Sequence, residues 1–208
     1  MNFSERIFCG KLSFEHIGKT VQLCGWVDAY RDHGGLLFIH LRDRSGIVQI
    51  VFSPETSSDN ICKMAATLRT EYCIAVTGEV KKRLEGTQNP NIETGALEVF
   101  VHELSVLSES EALPFPISDK AMVAGAENAS VENISEDLRL QYRYLDIRRP
   151  AMQENLLLRH KIFQCVRKFL DARGFVEVET PMLTASTPEG ARDYLVPSRV
   201  HPGNFYAL

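Results

Sequence analysis

At 208 residues the chain has room for one large domain or two small ones, and 44% hydrophobic with 24% charged residues suits a globular protein with a real core. No run approaches the roughly 18–20 uncharged residues of a membrane span, and Met1-Asn2-Phe3-Ser4-Glu5-Arg6 lacks the basic-then-apolar layout of a secretion signal. The net charge of −4 excludes a nucleic-acid partner held by bulk attraction to phosphates; such a partner would need a local patch and contacts to bases.

The five cysteines (Cys9, Cys24, Cys62, Cys73 and Cys165) are odd in number and scattered, with no C-x-x-C pair. That spacing argues for a reducing, cytoplasmic setting and against a disulfide framework or a zinc site. The cysteines read as small buried hydrophobes.

In chain order, residues 20–107 read as strands separated by turns. Val21-Gln22-Leu23-Cys24-Gly25-Trp26-Val27 alternates partly with period two, and a polar turn follows at Asp32-His33-Gly34-Gly35. Two further strands, 36–42 and 47–52, flank Asp43-Arg44-Ser45-Gly46, a hairpin turn in which Gly46 is free to take positive φ. A helix fits 60–70, with Ile61, Met64, Ala65 and Leu68 at helical spacing. Strands at 72–80 and 96–101 close the series, with a polar loop over 85–95 between them. Three strands, a helix and two strands is the order of an OB-fold, whose open face suits single-stranded nucleic acid. Another small β-barrel with no nucleic-acid role fits the same pattern.

Residues 113–136 carry Pro114, Pro116 and an alanine-rich stretch, and read as a linker rather than a core. Beyond it the period becomes helical. Leu158, Ile162, Val166 and Phe169, with Leu157, Phe163 and Leu170 alongside, form a broad apolar stripe. Pro150 stands where the helix can begin and Gly174 where it stops. Phe175-Val176-Glu177-Val178-Glu179-Thr180 alternates as a strand closed by Pro181, and the chain ends in the strand-like run 204–208. Because a domain rarely stops within a strand, the chain is expected to be a fragment. The expected fold class is α+β: an OB-fold over 1–112, a hinge over 113–140, and the start of a second domain over 141–208.

Four segments carry a resemblance to a family: Cys24-Gly25-Trp26-Val27, Leu41-Arg42-Asp43-Arg44-Ser45-Gly46-Ile47-Val48-Gln49, Tyr142-Arg143-Tyr144-Leu145-Asp146-Ile147-Arg148-Arg149-Pro150, and Thr187-Pro188-Glu189-Gly190-Ala191-Arg192-Asp193-Tyr194-Leu195-Val196-Pro197-Ser198-Arg199. Together they resemble bacterial aspartyl-tRNA synthetases, class II enzymes with an N-terminal anticodon-binding OB-fold. Residues 174–181 and the helix before them resemble class II motif 1, which in the family supplies the dimer interface. Residues 122–133 look longer than the family's usual hinge, and no role is assigned to the extra length.

By this resemblance Phe38 matches a stacking aromatic, Gln49 the amide reader of the central U, and Glu98 the carboxylate facing the first anticodon base. Arg31 and Arg83 match contacts to the anticodon loop. These residue types suit single-stranded RNA, whose splayed bases stack on aromatics and are read along their edges. Many bacterial aspartyl enzymes have a bulky apolar residue where this chain has His33, and a lysine where it has Gly86. Histidine and glycine there resemble the branch that charges both tRNA(Asp) and tRNA(Asn), whose anticodons differ only in a final C or U.

Glu189 matches a carboxylate of the aspartate site, suited to engage an α-ammonium group; Arg192 and Asp193 share its loop. The resemblance implies L-aspartate, ATP and Mg²⁺ as ligands of the full enzyme, tRNA(Asp) and tRNA(Asn) as partners, and a homodimer. The arginines that meet the phosphates in the family belong to motifs 2 and 3, which do not occur in these residues. The expectation for these 208 residues is therefore no catalytic residue, no metal ligand, no tightly bound cofactor and no adenylate formation. The competing reading is a free-standing OB-fold RNA-binding protein. An asparaginyl- or lysyl-tRNA synthetase shares the architecture, but the run from Thr187 fits the aspartyl enzyme better.

Overall fold

The structure is a computed structural model that describes residues 3–118, 134–186 and 193–208. Five strands, β1 (Thr20–His33), β2 (Leu36–Asp43), β3 (Gly46–Phe52), β4 (Cys73–Lys82) and β5 (Leu97–Ser108), close into a barrel in the order β1-β2-β3-β5-β4. All neighbours are antiparallel except β3 and β5, which run parallel. Helix α1 (Asp59–Ala66) lies between β3 and β4 and packs Ala65, with Leu68 just beyond it, into the barrel core. This is the OB-fold.

β1 is longer than its alternation predicts because one strand serves two neighbours. Its first half, 20–26, pairs with β4, and its second half, 26–33, pairs with β2. A bulge between Val27 and Ala29 turns the strand from one partner to the other, as bulges do at barrel corners. Gly25 stands at that corner: a Cβ there would come within 2.4 Å of the Arg42 carbonyl oxygen. The run 28–33 broke the period-two pattern, although the backbone of residues 29–33 still ladders with β2.

Alternate residues of the strands fill the interior. Leu23, Val27, Ile39, Leu41, Val48, Ile50, Ile74, Val76, Val80 and Val99 are fully buried. At the β2–β3 turn, Asp43 accepts from the Ser45 amide (2.7 Å) and hydroxyl (2.6 Å), while its other oxygen accepts from the Cys9 amide (2.7 Å). The turn thus also anchors the segment preceding β1.

Residues 113–117 depart from the linker reading. Phe115 and Ile117 are buried with Leu145 in a second, small cluster, flanked by Leu113, Ile134, Leu138 and Tyr142. The backbone bends at Pro114–Phe115 and again at Ile117–Ser118, and Leu113, Phe115 and Ile117 all reach this cluster. The two prolines masked an alternating apolar run. Residues 122–133, with the long hinge segment, lie outside the described residues.

Helices α2 (Glu136–Gln141) and α3 (Arg143–Asp146) follow, and Ser135 caps α2 by accepting from the Leu138 amide at 3.3 Å. The carboxylate of Asp146 is fully buried and is gripped by Arg139 (2.9 Å), Arg143 (2.7 Å) and Arg149 (3.2 Å). Burial acts to raise the Asp146 pKa, but the hydrogen bonds and charges of Arg139 and Arg149 outweigh it and hold the group below the ordinary aspartate range.

The described chain divides into two compact units, residues 1–153 and 154–208. In the second, most of helix α4 (Pro150–Asp171) presents its apolar stripe to solvent: Leu157, Leu158, Ile162, Phe163, Val166, Phe169 and Leu170 are 40–58% exposed. Gly174 ends the helical turn at φ +81°. Residues 175–180 form no strand, contrary to their alternation. A strand requires a ladder partner, and none pairs with them among the described residues. The segment is tied instead by Arg167, which clasps Glu177 with Nε–Oε2 at 2.8 Å. The 204–208 run does form a strand: β7 (Phe205–Ala207) pairs with β6 (Leu195–Pro197). Cys9 is buried, but Cys165 is exposed on α4, so the cysteines are not uniformly core residues. On an amphipathic helix the position, not the residue type, decides exposure.

Candidate nucleic-acid interface

Because Ile39, Leu41, Val48 and Ile50 point into the barrel, their neighbours point out of it. Phe38 and His40 on β2 therefore share the outer face with Gln49 on β3. The ladder sets two rows across this face. Ala29, His40, Gln49, Glu98 and Lys81 are successive partners along one, and Arg31, Phe38, Val51, Phe100 and Glu79 along the other. Arg83 follows the end of β4, its amide bonded to the Ala96 carbonyl at 2.9 Å. All five residues assigned to anticodon binding thus lie on one face of the barrel.

A cleft of about 270 Å³ opens there, lined by Arg31, Phe38, His40, Gln49, Asn89 and Asn91 among others. Gln49 is nearly buried, and its Nε2 donates to Glu98 Oε2 at 2.9 Å. Arg83 Nε lies 4.0 Å from the same oxygen, too far for a hydrogen bond, and is buried without a partner of its own. Burial pushes the Glu98 pKa up, while the Gln49 amide, Arg83 and Lys81 act in the opposite direction. Lys81 also lies over the Phe100 ring, 4.7 Å from its centroid. The face combines an aromatic surface, a fixed amide, a carboxylate and cations, the groups that base stacking and edge reading require.

His33 ends β1 at the exposed tip of the β1–β2 hairpin. Gly86 lies in the loop between β4 and β5 at φ +82°, with nothing within 4 Å of where a Cβ would stand. The two positions differ in kind: His33 offers a side chain, whereas Gly86 offers a backbone shape. Glu189 and Arg192 lie outside the described residues; Asp193 accepts from the Ser186 hydroxyl at 2.6 Å.

Residues 21–107 match a family described as an OB-fold nucleic acid binding domain, and residues 135–208 match tRNA synthetases class II (D, K and N). Over its whole length the chain is 74% identical to aspartate–tRNA(Asp/Asn) ligase 1 of Syntrophus aciditrophicus. The chain is therefore similar to class II tRNA synthetases. It spans 29% of that relative, and 32% of the aspartate–tRNA(Asp/Asn) ligase of Thermodesulfovibrio yellowstonii, to which 97% of the chain aligns at 57% identity. Among solved structures, asparaginyl-tRNA synthetase from Pyrococcus horikoshii, complexed with asparaginyl-adenylate, matches 98% of this chain and 42% of its own at 27% identity, with a TM-score of 0.78. Aspartyl-tRNA synthetase from Entamoeba histolytica matches 88% of this chain and 41% of its own at 25% identity, with a TM-score of 0.74.

Within this chain, sequence reasoning missed two groups. His40, Asn89 and Asn91 line the cleft; His40 was findable as the residue two places from Phe38, on the same side of β2. The second group is a buried network beneath Trp26. Arg42 bonds Asp28 and both oxygens of Glu71 (2.7 and 2.8 Å), and Arg148 reaches Glu71 Oε2 at 3.0 Å while lying 5.3 Å from the Trp26 ring centroid. The network fastens residues 134–149 to the barrel. Its members are far apart in sequence, and only the resemblance segments containing Arg42 and Arg148 hinted at it. Among the described residues no helix is long and apolar enough to cross a membrane.

Proposed function

We propose that the chain is the anticodon-reading part of an aspartate–tRNA ligase that charges both tRNA(Asp) and tRNA(Asn). The observation that carries this reading is the single outer face on which Arg31, Phe38 and Gln49 line one cleft, with Glu98 bonded to Gln49 and Arg83 beside Glu98. Phe38 stacks on a splayed base, Gln49 reads the central U, Glu98 meets the first base, and the two arginines hold the loop backbone. An acidic chain then needs no general basic surface, because affinity comes from stacking and edge contacts. The relatives named as aspartate–tRNA(Asp/Asn) ligases support tolerance of a final C or U, with His33 and the open backbone at Gly86 as the residues responsible. The match of residues 135–208 to class II synthetases disfavours a free-standing RNA-binding protein.

The whole protein would condense L-aspartate with ATP, then transfer the aspartyl group to the tRNA 3′ end, working as a homodimer in the cytoplasm. Glu189 would engage the substrate ammonium. Mg²⁺ would stabilise charge on the ATP phosphates. The family's phosphate-binding arginines lie in motifs 2 and 3, which do not occur in these 208 residues.

Binding of labelled anticodon stem–loops to this chain tests the reading. The tRNA(Asp) and tRNA(Asn) loops should bind with similar affinity, and Phe38→Ala should weaken both by about 1–3 kcal/mol. No binding, or binding of the tRNA(Asp) loop alone, would sink the corresponding part of the proposal.

A further inference from the structure

Gln49 and Glu98 are direct partners across the parallel β3–β5 pair, and their side chains are joined by a hydrogen bond of 2.9 Å. An ionised carboxylate can only accept. The Gln49 amide therefore has one way to face it: nitrogen towards Glu98, oxygen away. Partial burial pushes the Glu98 pKa up, while the Gln49 hydrogen bond, Arg83 at 4.0 Å and Lys81, the ladder partner of Glu98 on β4, act for the ionised form. Gln49 is buried enough, at 6% exposure, for this single contact to govern its orientation. The end of the amide directed away from Glu98 is then Oε1, an acceptor, on a side chain that lines the cleft.

We propose that Glu98 is a positioning residue for Gln49, fixing its amide so that the cleft selects a base whose ring nitrogen carries a proton. Uracil, with N3–H, satisfies Oε1 of Gln49. Cytosine, whose N3 is an acceptor, sets two lone pairs against each other and leaves both unsatisfied. The selection of U over C at the central position thus belongs to the Gln49–Glu98 pair and not to Gln49 alone. This rests on the anticodon reading above and is separable from any contact Glu98 itself makes to the first base, because such a contact does not depend on the central base.

The test compares two anticodon stem–loops that differ only in U or C at the central position, each titrated against the 208-residue chain and its variants. The unsubstituted chain should favour U by about tenfold or more, the scale of one buried hydrogen bond made against one left unmade. In Glu98→Gln the residue at 98 can donate as well as accept, so the Gln49 amide is free to turn over. The U-to-C preference should then fall to within about threefold, whatever happens to overall affinity. Glu98→Asp keeps a carboxylate and should retain the preference. A Glu98→Gln variant that binds but keeps the full preference overturns this inference while leaving the anticodon reading intact. Equal loss of preference in Glu98→Asp would also overturn it, since any change at 98 would then suffice. Failure of the unsubstituted chain to bind either loop overturns both readings.

Discussion

The barrel and the unit formed by residues 154–208 use the same apolar residue types to opposite ends. In the barrel, leucine, isoleucine and valine alternate inward along closed strands, so each side chain and each ladder bond finds its partner within the first unit. In the second unit the stripe along α4 is half exposed, and the strands described there are the three-residue β6 and β7. An apolar stripe of that width is a surface made to be covered. The contrast separates a unit that buries its apolar residues within its own closed sheet from one that leaves an apolar stripe exposed.

The comparison breaks first at the core. Phe52, 1% exposed, fills the barrel, and Phe52→Ala should cost about 3–5 kcal/mol in urea unfolding. Ile162, 55% exposed on α4, is as apolar, but Ile162→Ala should change stability by no more than about 0.5 kcal/mol. Comparable losses at the two positions would show that α4 is buried in solution by a partner copy, which sedimentation would detect.

A smaller effect is expected at Asp146, where the structure relies on charge in place of apolar volume. Among the described residues the small cluster that contains its neighbour Leu145 buries just Phe115, Ile117 and Leu145, and three arginines converge on the Asp146 carboxylate. Asp146→Ala should cost about 2–3 kcal/mol, below the usual range for a buried pair because Arg139 and Arg143 keep contact with water. The pH dependence has a definite sign. The native pKa lies below that of the unfolded chain, so the contribution is present in full above the ordinary aspartate pKa and is lost as pH falls through the native value. Asp146→Asn should lose stability at neutral pH and converge on the unsubstituted chain in acid. A constant gap at all pH values would contradict the ion-pair account.

Much of the barrel was legible because period-two alternation is itself a record of burial, and the turn at 43–46 has a recognisable residue signature. Residues 30–33 were not, since β1 stays paired there while its side chains are exposed. The alternation at 175–180 misled for the converse reason: it reports side-chain chemistry, while a strand also needs a neighbour. At the site, residue types named Phe38, Gln49 and Glu98 only through the family. No sequence spacing reveals that Gln49 and Glu98, 49 residues apart, are ladder partners. The Arg42–Glu71–Arg148 network was hidden likewise, and Glu71 carries it at φ +66°, a backbone conformation that its residue type gave no reason to expect.

The smallest effect sharpens the comparison inside the barrel unit itself. Gly86 belongs to that unit, yet a Cβ at its position meets nothing within 4 Å, so no packing argument applies to its substitution. What remains is φ +82°, which glycine adopts freely and an L-residue adopts at a cost. Gly86→Ala should therefore lower stability by about 1 kcal/mol through backbone strain alone. Lysine at this place would meet the same strain unless the loop changes its path, and would add a cation to the β4–β5 loop. If Gly86→Ala leaves both loops equally bound while Gly86→Lys favours one, the side chain is what discriminates. If alanine alone biases binding, the left-handed backbone is the tolerant element, and the loop shape, not its chemistry, admits both tRNAs.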